Sequence, residues 1–284
     1  MHKLSQELKD NIKDQRDRVE GKKGSIIVIS GQTGEGKTTL GVQIAEEYIQ
    51  KNIDFETQLA MGGNDFLEKR DSCLDTKAGV LIYDEAGDLI AKRSMSKFNV
   101  DMVRDFELQR VFKLFVILCL PSFRSLESSF YTERGLVRAV CQVQNRNDKR
   151  GEFLWYGRRK IGHMIKIMSN KNKCPDLIDD LFNPNSRYYV EPDTEGLFYD
   201  LPPERSAELE KYSLGGKAKI LTERNLKENG YLNYKDISQK TGYDVGSIRN
   251  TISKQGIEPY SKVGRVAYFS PDVLDLFNKE GDKE

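Results

Sequence analysis

The feature that most constrains this sequence is a glycine-rich stretch, GQTGEGKTTL, at residues 31–40. It follows an apolar, β-branched run, SIIVIS, and precedes GVQIAEEYIQ, which has the apolar spacing of a helix. The stretch fits the pattern G-x-x-x-x-G-K-[ST] at every fixed position. A strand, this loop and a helix in that order are the context of a phosphate-binding loop, so we predict the core of a P-loop NTPase.

The chemistry of the loop assigns a role to each part of it. Glycines let the backbone close around an anion, because successive N–H groups and the start of the next helix then point at the phosphates. Lys37 is expected to reach the β- and γ-phosphates, and the Thr38 hydroxyl to complete the Mg²⁺ shell. The predicted nucleotide-binding residues are Gly31, Gln32, Thr33, Gly34, Glu35, Gly36, Lys37, Thr38 and Thr39.

A second motif, KAGVLIYDEAGDLI, places two carboxylates directly after four apolar residues, 80–83. A buried parallel strand that ends in two acids is costly unless that end needs negative charge. We expect Asp84 to hold Mg²⁺ together with Thr38, and Glu85 to polarise the water that attacks the γ-phosphate. The alternative is an Asp-Glu pair that caps the next helix.

Further strands complete the predicted fold class. DFETQLAM could add a short strand between the P-loop helix and the Asp-Glu strand, which suggests the added-strand branch of P-loop ATPases. KLFVILCL and LVRAVCQV read as apolar strands, and GEFLWYGRRKIGHMIKIM reads as an antiparallel continuation or hairpin. We therefore predict an α/β, RecA-like core with a mostly parallel central sheet. No N-K-x-D motif for guanine occurs, so ATP is favoured over GTP.

Composition excludes some classes of protein. The 284 residues include 45 Lys plus Arg and 44 Asp plus Glu, so any basic surface must be a local patch. The four cysteines lack C-x-x-C spacing and are interpreted as buried or incidental thiols in a reducing compartment. The charged N-terminus and the lack of a long apolar run predict no signal peptide and no membrane span, hence a cytoplasmic protein.

Three stretches together resemble a known superfamily: GQTGEGKTT, VLIYDEAG, and FKLFVILCLPS followed by LESSFYTERGLVRAVCQV. They are similar to the FtsK/HerA superfamily of P-loop motors, in particular the zonular-occludens-toxin-like ATPases of phages, plasmids and archaeal mobile elements. The resemblance covers roughly residues 24–145. It implies a ring of identical subunits, usually a hexamer, that pumps double-stranded DNA, with other mobile-element proteins as possible partners.

The resemblance also implies two further site residues. Members of the superfamily carry a polar sensor after the strand that follows the Asp-Glu strand; Pro121 and Ser122 occupy that place here, so Ser122 is the candidate. Such rings also need a positive charge that reaches a neighbour's γ-phosphate. The candidates are Arg110, Arg124, Arg134 and Arg138, of which Arg134 is favoured because YTERG falls in a predicted loop.

The sequence divides into an N-terminal helical segment (1–23), an ATPase domain (24–168), a Pro-rich connector (169–216) and a C-terminal domain (217–284). The N-terminal segment is predicted to be a peripheral helix, with a basic DNA-contacting arm as the alternative. The connector is predicted to be extended, with a short helix at PDLIDDLF and a flexible Gly-Gly at its end.

The C-terminal domain looks like a winged or MerR-type helix-turn-helix. NYKDISQKTG is predicted as its first helix, GSIRNTISKQG as its second, EPYSKVGRVAYFS as the wing and SPDVLDLF as a last helix. Arg249 could read guanine and Asn250 adenine, but one of the two is expected to face the core. The predicted DNA contacts are Ser247, Arg249, Asn250 and Lys254, with Lys262 and Arg265 on the wing. The alternative is a protein-binding module.

Three functions therefore compete at this point. The first is an ATP-driven DNA motor or a packaging or transfer ATPase of a mobile element. The second is an ATP-switched DNA-binding regulator, or a partition or replication-initiation protein, that does not translocate. The third is a small-molecule kinase, which Glu85 and the lack of an arginine-rich lid disfavour.

Overall fold

The computed structural model describes residues 4–21, 23–76, 79–84, 113–126, 130–131, 135–146, 149–169, 177–263 and 266–278. The chain forms two compact units, Met1–Glu210 and Lys211–Glu284. The first contains the glycine-rich loop and a large sheet, and the second contains a small sheet with short helices.

The described part of the first unit is built on a seven-stranded sheet in the order β2-β3-β4-β1-β5-β6-β7. The first five strands of that order are parallel, whereas β6 and β7 are antiparallel. The predicted α/β class with a mostly parallel central sheet is confirmed. The strands are β1 (Ser25–Ser30), β2 (Leu59–Met61), β3 (Val80–Asp84), β4 (Phe115–Leu120), β5 (Val137–Arg146), β6 (Lys149–Gly157) and β7 (Thr194–Leu197).

The central strands are buried along their whole length, which explains their unbroken apolar runs. Strand β4 lies between β1 and β3, with Ser30 beside Leu120 and Tyr83 beside Leu118. The carboxyl ends of the three strands therefore meet at one edge of the sheet. The extra strand expected in DFETQLAM is only three residues long, and it pairs with β3 rather than separating it from β1.

Helices pack around this sheet. The N-terminal segment forms a helix, as predicted, and its apolar side is packed: Leu8 and Ile12 are fully buried, and Asn11 Nδ2 donates to Thr194 Oγ1 of β7 at 3.0 Å. Its apolar residues at helical spacing were the signal for burial. The helices are α1 (Gln6–Glu20), α2 (Lys37–Ile49), α3 (Phe55–Gln58), α4 (Gly63–Thr76), α5 (Arg158–Met168) and α6 (Leu177–Phe182).

The segment predicted as an antiparallel continuation or hairpin divides into two elements. Its first part is the antiparallel strand β6, as expected, but its second part is the helix α5. Ile161 and Met164 are buried, and Ile165 and Met168 pack against the same core. This i, i+3, i+4, i+7 spacing favours a helix over a strand.

The prediction that Gly215 and Gly216 are flexible is wrong. Residues Pro203–Glu228 form one helix, α7, which begins in the first unit, passes through Gly215 and Gly216, and ends in the second. Each glycine costs roughly 1 kcal/mol relative to alanine inside a helix. The strong helix formers around them, among them Ala207, Leu209 and Ala218, offset that cost.

The second unit has its short elements where the sequence predicts them. Asn233 caps α8 through a capping box, Gly242 ends that helix with φ 78°, and Asp244 caps α9. The strands pair in the order β8-β10-β9, antiparallel throughout. The elements are α8 (Tyr234–Thr241), α9 (Val245–Lys254) and α10 (Asp275–Asn278), with β8 (Leu232–Asn233), β9 (Ser261–Val263) and β10 (Val266–Phe269).

Two further predictions concern the cysteines and membrane-spanning helices. Cys73, Cys119 and Cys141 are free and buried, as predicted, while Cys174 lies outside the described residues. Among the helices that the structure describes, none combines the length and the apolar character needed to cross a bilayer.

Candidate nucleotide-binding site

The glycine-rich loop connects the carboxyl end of β1 to the first turn of α2. Gly36, the residue before the helix, has φ 89°, a left-handed conformation that side chains with a Cβ rarely adopt. Gln32, Thr33 and Gly34 are exposed at the tip of the loop, and Thr39 is partly buried in the helix. The nine predicted nucleotide-binding residues thus comprise the loop, residues 31–36, and the first three residues of α2 at this edge of the sheet.

Several polar groups of the loop pair with one another. The Lys37 ammonium donates to the carbonyl oxygens of Gly31 at 2.9 Å and Gln32 at 2.7 Å. The Glu35 carboxylate accepts a hydrogen bond of 2.5 Å from the Gln32 backbone N–H. Lys37 therefore lies across the loop with carbonyl oxygens as its partners, in a position where phosphate oxygens could replace them.

Two motifs of the sequence meet at this edge of the sheet: the glycine-rich loop, which is followed by Thr38, and the strand that ends in Asp84. Thr38 Oγ1 donates to Asp84 Oδ2 at 3.0 Å, although the two residues are 46 positions apart in the chain. Asp84 is only 5% exposed and ends β3. The contact brings together one hydroxyl and one carboxylate from two different elements, which is the juxtaposition predicted for Mg²⁺.

The donor set fits this metal. Mg²⁺ takes oxygen ligands, keeps several waters and is commonly held by one or two carboxylates plus substrate phosphates. Thr38 supplies a hydroxyl oxygen and Asp84 a carboxylate oxygen. Elsewhere in the described ranges, no group of three or more His, Cys, Asp or Glu side chains could hold a metal ion.

A buried thiol lies under the loop. Burial, and then the neighbouring Asp84 carboxylate, raise the pKa of Cys119 well above its usual value. Its Sγ is 3.9 Å from the Lys37 carbonyl oxygen. Cys119 is therefore a neutral packing residue between β4 and α2, in agreement with the interpretation of the cysteines as buried or incidental thiols.

The candidate sensor has an unusual environment. Ser122 follows β4 at the edge that carries the loop, and its Oγ is buried without a hydrogen-bond partner among the described residues. A buried hydroxyl without a partner costs free energy, so such groups call for an explanation. Its position between β1 and β3 is compatible with the predicted contact to a bound nucleotide.

The arginine candidates are spread over two edges of the sheet. Arg124 is exposed just after β4, on the edge of the loop. Arg138 lies next to Val137, which pairs with Ile26 near the start of β1, and hence at the opposite edge. Burial, Arg18 and Arg158 lower the pKa of Arg138 to about 10. Outside the described residues lie Arg110, Arg134 and the predicted water-activating Glu85.

The loop has a contact with the predicted connector that was not predicted from the sequence. The ring of Phe198 packs directly on Gly36, since a Cβ at that glycine would lie 3.1 Å from two ring carbons. Phe198 is 6% exposed. In the next residue, the carbonyl oxygen of Tyr199 accepts a hydrogen bond from Gln43 Nε2 of α2. These contacts fix the back of the loop and the first turns of α2.

A buried ion pair extends the same contact. Arg205 Nη2 donates to Glu46 Oε1 at 2.8 Å and also to the carbonyl oxygen of Ile53. Its guanidinium lies 3.8 Å from the centre of the Phe55 ring, and the Arg205 and Glu46 side chains are 13% and 5% exposed. We call Phe198, Tyr199 and Arg205 the α2 clamp. Polar Gln43 and Glu46 within an otherwise apolar stretch of α2 were the available signal, because buried polar groups require partners.

The candidate DNA contacts of the second unit lie on the exposed face of α9. Ile248 and Ile252 face the core, so the expectation that Arg249 or Asn250 faces inward is wrong, and both are exposed. Lys254 and, on β9, Lys262 are also exposed, while Arg265 lies outside the described residues.

Two of these side chains already have partners within the unit. The guanidinium of Arg249 is 5.2 Å from the centre of the Tyr234 ring. The Ser247 hydroxyl and backbone N–H both donate to the Asp244 carboxylate, and the hydroxyl bond is the main cause of the lowered pKa of Asp244. Ser247 thus serves the N-cap of α9.

Comparison with known proteins gives a limited result. No protein-family model matches this sequence, and no curated protein matches it. Among solved structures, the genome-packaging NTPase B204 of Sulfolobus turreted icosahedral virus 2, in complex with AMPPCP, is similar at 14% identity over 48% of this chain and 93% of that one, with a TM-score of 0.35.

Two other structures are similar to about the same extent. The N-terminal domain of zonular occludens toxin from Neisseria meningitidis shares 16% identity over 47% of this chain and 84% of that one, with a TM-score of 0.34. The flagellar accessory protein FlaH from Methanocaldococcus jannaschii shares 16% identity over 51% and 83%, with a TM-score of 0.28. With TM-scores this low, the likenesses carry no conclusion about the function of this chain.

Proposed function

We propose that this protein is an ATP hydrolase whose active site is the edge formed by the glycine-rich loop and the end of β3. The observation that carries the proposal is the 3.0 Å contact between Thr38 Oγ1 and Asp84 Oδ2. A phosphate-binding loop alone indicates nucleotide binding. A buried carboxylate that meets the loop's own hydroxyl supports a metal-dependent reaction of that nucleotide.

The reaction would be an in-line attack of water on the γ-phosphorus. A bond forms between the water oxygen and phosphorus, the bond to the β,γ-bridging oxygen breaks, and ADP and phosphate are released. Lys37 would bind the β- and γ-phosphates, and Glu85 would orient the water and accept its proton. Thr38 and Asp84 would hold Mg²⁺, which when bound neutralises phosphate charge. The buried Ser122 hydroxyl would bind the γ-phosphate.

We propose further that hydrolysis drives movement of double-stranded DNA in a ring of identical subunits, as in packaging or transfer by a mobile element. In such a ring an arginine of one subunit, with Arg134 favoured, would act on the nucleotide of the next. The second unit would be a winged helix-turn-helix that binds DNA through α9 and β9. In support, α9 follows a short capped helix and exposes Arg249, Asn250 and Lys254 on the face away from its core.

The α2 clamp favours a second candidate function, an ATP-switched DNA-binding regulator that does not translocate. Arg205 of the clamp belongs to α7, the helix that continues into the second unit, and it holds the P-loop helix through Glu46. A change at the nucleotide could therefore alter the clamp directly. Partition or replication initiation would use such a switch.

Steady-state ATP hydrolysis separates these functions. The wild-type protein is assayed without DNA, with a short duplex and with a long duplex at equal nucleotide concentration, at low and at physiological salt. The motor predicts stimulation that grows with duplex length, because a longer track allows more cycles per encounter. Equal stimulation by both duplexes would favour the switch. Absence of hydrolysis under all conditions would contradict both.

A variant at Glu85 tests the assignment of the base. We expect Glu85→Gln to bind ATP and to lose most of its turnover, by roughly 100-fold or more, because the amide cannot accept the proton. Filter binding of labelled ATP distinguishes this stalled state from loss of binding. Full turnover by Glu85→Gln would assign the base to another residue.

A further inference from the structure

Helix α5 carries a basic stripe on its exposed face. Arg159, His163 and Lys166 are exposed and stand at i, i+4 and i+7, so they line one side of the helix. The opposite side, which includes Ile161 and Met164, is packed into the core. The stripe is therefore fixed to a rigid support.

The positive charge of this surface is concentrated and little compensated. The first turn of α5 holds Arg158, Arg159 and Lys160 and no acidic residue. These cations lie at the positive end of the helix dipole, where an anion would be favoured. Asp193 is the carboxylate at this end, and its Oδ2 accepts a 2.7 Å hydrogen bond from the Gly157 backbone N–H. Among the described residues, Arg159, Lys160 and Lys166 have no ion-pair partner within 4.0 Å.

Neighbouring arginines add to the same local field. Burial, and then the positive charges of Arg18 and Arg158, lower the pKa of Arg138, so both of these guanidinium groups act on that of Arg138. The Nε atoms of Arg18 and Arg138 are buried and have no hydrogen-bond partner in the part of the chain that the structure describes. Because the whole chain has a net charge of only +1, this excess is a local property.

The surface also has room for a ligand. A cavity of about 500 Å³ is lined, among the described residues, by Arg158, Arg159, Lys160, Gly162, His163 and Lys166. Gly162 lies in the middle of the stripe, and a Cβ added there would meet nothing within 4 Å. An extended anion can therefore approach the helix backbone between the basic side chains.

This surface is separate from the nucleotide site. Gly157, which precedes α5, pairs with Ala139, and Ala139 pairs with Ile27 in the first half of β1. The glycine-rich loop follows the last residue of β1, so α5 starts at the opposite edge of the sheet. The phosphates bound by the stripe would not be those of the ATP bound by the same chain.

We propose that the α5 basic stripe (Arg159, His163 and Lys166), together with the adjacent Lys160, binds the phosphate backbone of duplex DNA. This inference rests on the proposed DNA-dependent function and adds a DNA-binding surface on the ATPase unit itself. From Arg159 to Lys166 the helix rises about 10 Å, and a duplex carries one negative charge per about 1.7 Å of its axis. An anionic membrane is disfavoured, because a helix that lies on a bilayer needs a free apolar face and the apolar face of α5 is packed in the core.

The first experiment compares Gly162→Glu with Gly162→Gln in the full chain. Both replacements have the same size and both favour a helix over glycine, so they differ only in charge. Fluorescence anisotropy with a labelled duplex gives the affinity over a series of salt concentrations. We expect Gly162→Glu to bind DNA several-fold more weakly than Gly162→Gln at low salt. The slope of log affinity against log salt should also be shallower, by about 1 in magnitude.

The second experiment removes charges from the stripe. We expect Arg159→Gln/Lys160→Gln/Lys166→Gln to reduce the magnitude of the salt slope by about 2 to 3, since each phosphate contact contributes about 0.9. The matched control is Lys13→Gln/Lys51→Gln/Lys113→Gln, which removes the same charge from exposed positions of the first unit. ATP hydrolysis without DNA, measured for every variant, verifies that each one is folded.

The outcomes separate this inference from the proposed function. DNA binding that falls with Arg249→Gln/Lys254→Gln, but is equal in the stripe triple and the control triple and in both Gly162 variants, would overturn the stripe and leave a DNA-dependent ATPase. Absence of DNA binding by the wild type would overturn the stripe and the DNA-dependent part of the function together. A Gly162→Glu effect on binding to anionic vesicles, without one on DNA, would identify the surface as lipid-binding and overturn the proposal.

Discussion

The nucleotide site and the candidate DNA site of the second unit are built in opposite ways. At the nucleotide site, the important groups come from separate elements and meet only in the fold: Thr38 from α2 and Asp84 from β3. In the second unit, the candidate DNA contacts Arg249, Asn250 and Lys254 come from a single short helix. Long-range geometry therefore supports the first site, whereas the second rests on local sequence and exposure.

This difference determines which kind of experiment is informative. A site assembled from distant elements depends on the sheet order, so removal of one group should abolish a chemical step. A site on one helix depends on local caps and a small core, so a single change should have a modest effect.

The largest expected effect is at the lysine of the loop. Lys37→Ala should reduce ATP turnover by about 1,000-fold or more, because it removes the charge that reaches the transferred phosphate. Steady-state phosphate release measures the loss. Lys51→Ala, at an exposed position two residues beyond α2, serves as the control and should retain the wild-type rate. Turnover by Lys37→Ala within a few-fold of the control would rule out the loop as the site of hydrolysis.

A smaller effect is expected when the α2 clamp is broken. Arg205→Ala should destabilise the first unit by about 3 kcal/mol or more, since it leaves the buried Glu46 carboxylate without its cation. Urea unfolding followed by Trp155 fluorescence reports on this unit, because Trp155 lies in β6. The double variant Arg205→Met/Glu46→Leu should recover much of the loss. An unchanged unfolding midpoint for Arg205→Ala would mean that the clamp does not hold α2.

In the second unit a single cap should matter less. Asn233→Ala should cost about 1 kcal/mol, because the Asn233 side chain accepts hydrogen bonds from the backbone N–H groups of Lys235 and Asp236. Asn233→Asp preserves the acceptor and should be close to wild type. Hydrogen exchange of the α8 amides measures the local effect, and equal protection in both variants would contradict the assignment of this cap.

The smallest predicted effect is a pH dependence of the stability that the Asp244 cap gives to α9. The hydrogen bonds from Ser247 lower the pKa of Asp244 in the folded state, so this carboxylate stabilises the fold above its unfolded pKa, about 3.9. That contribution is lost as the pH falls through the lower, folded pKa. Nuclear magnetic resonance titration of Asp244 should therefore give a lower pKa in the wild type than in Ser247→Ala. Identical titration curves would contradict the pairing.

The predictable parts of this structure are those fixed by local chemistry. The segment NYKDISQKTG was predicted as a helix, and in the structure Asn233 caps α8 and Gly242 ends it, because caps depend on residues within one turn. The roles of Thr38 and Asp84 could be inferred because each lies in a motif whose spacing the phosphate chemistry requires. Their close approach at one edge agrees with that inference.

The features that were not predicted depend on long-range contacts or on a hydrophobic spacing that was read as a strand instead of a helix. Nothing local to Phe198 or Arg205 indicates that the first packs on Gly36 and the second pairs with Glu46, more than 150 residues earlier. The helix α5 was interpreted as part of a hairpin although its apolar residues have helical spacing. The predicted flexible Gly-Gly is instead part of a helix, because the low helix propensity of Gly215 and Gly216 is outweighed by the helix propensity of their neighbours.

The central claim is that Thr38 and Asp84 form the metal-dependent part of an ATP-hydrolysing site. It is tested most directly by ATP turnover of Thr38→Ser and Thr38→Val over a series of Mg²⁺ concentrations. Serine keeps the hydroxyl, whereas valine has the shape of threonine without it. We expect Thr38→Ser to stay within a few-fold of wild type, and Thr38→Val to lose about 100-fold and to need more Mg²⁺ for its half-maximal rate. Equal rates and equal Mg²⁺ dependence in the two variants would contradict the claim.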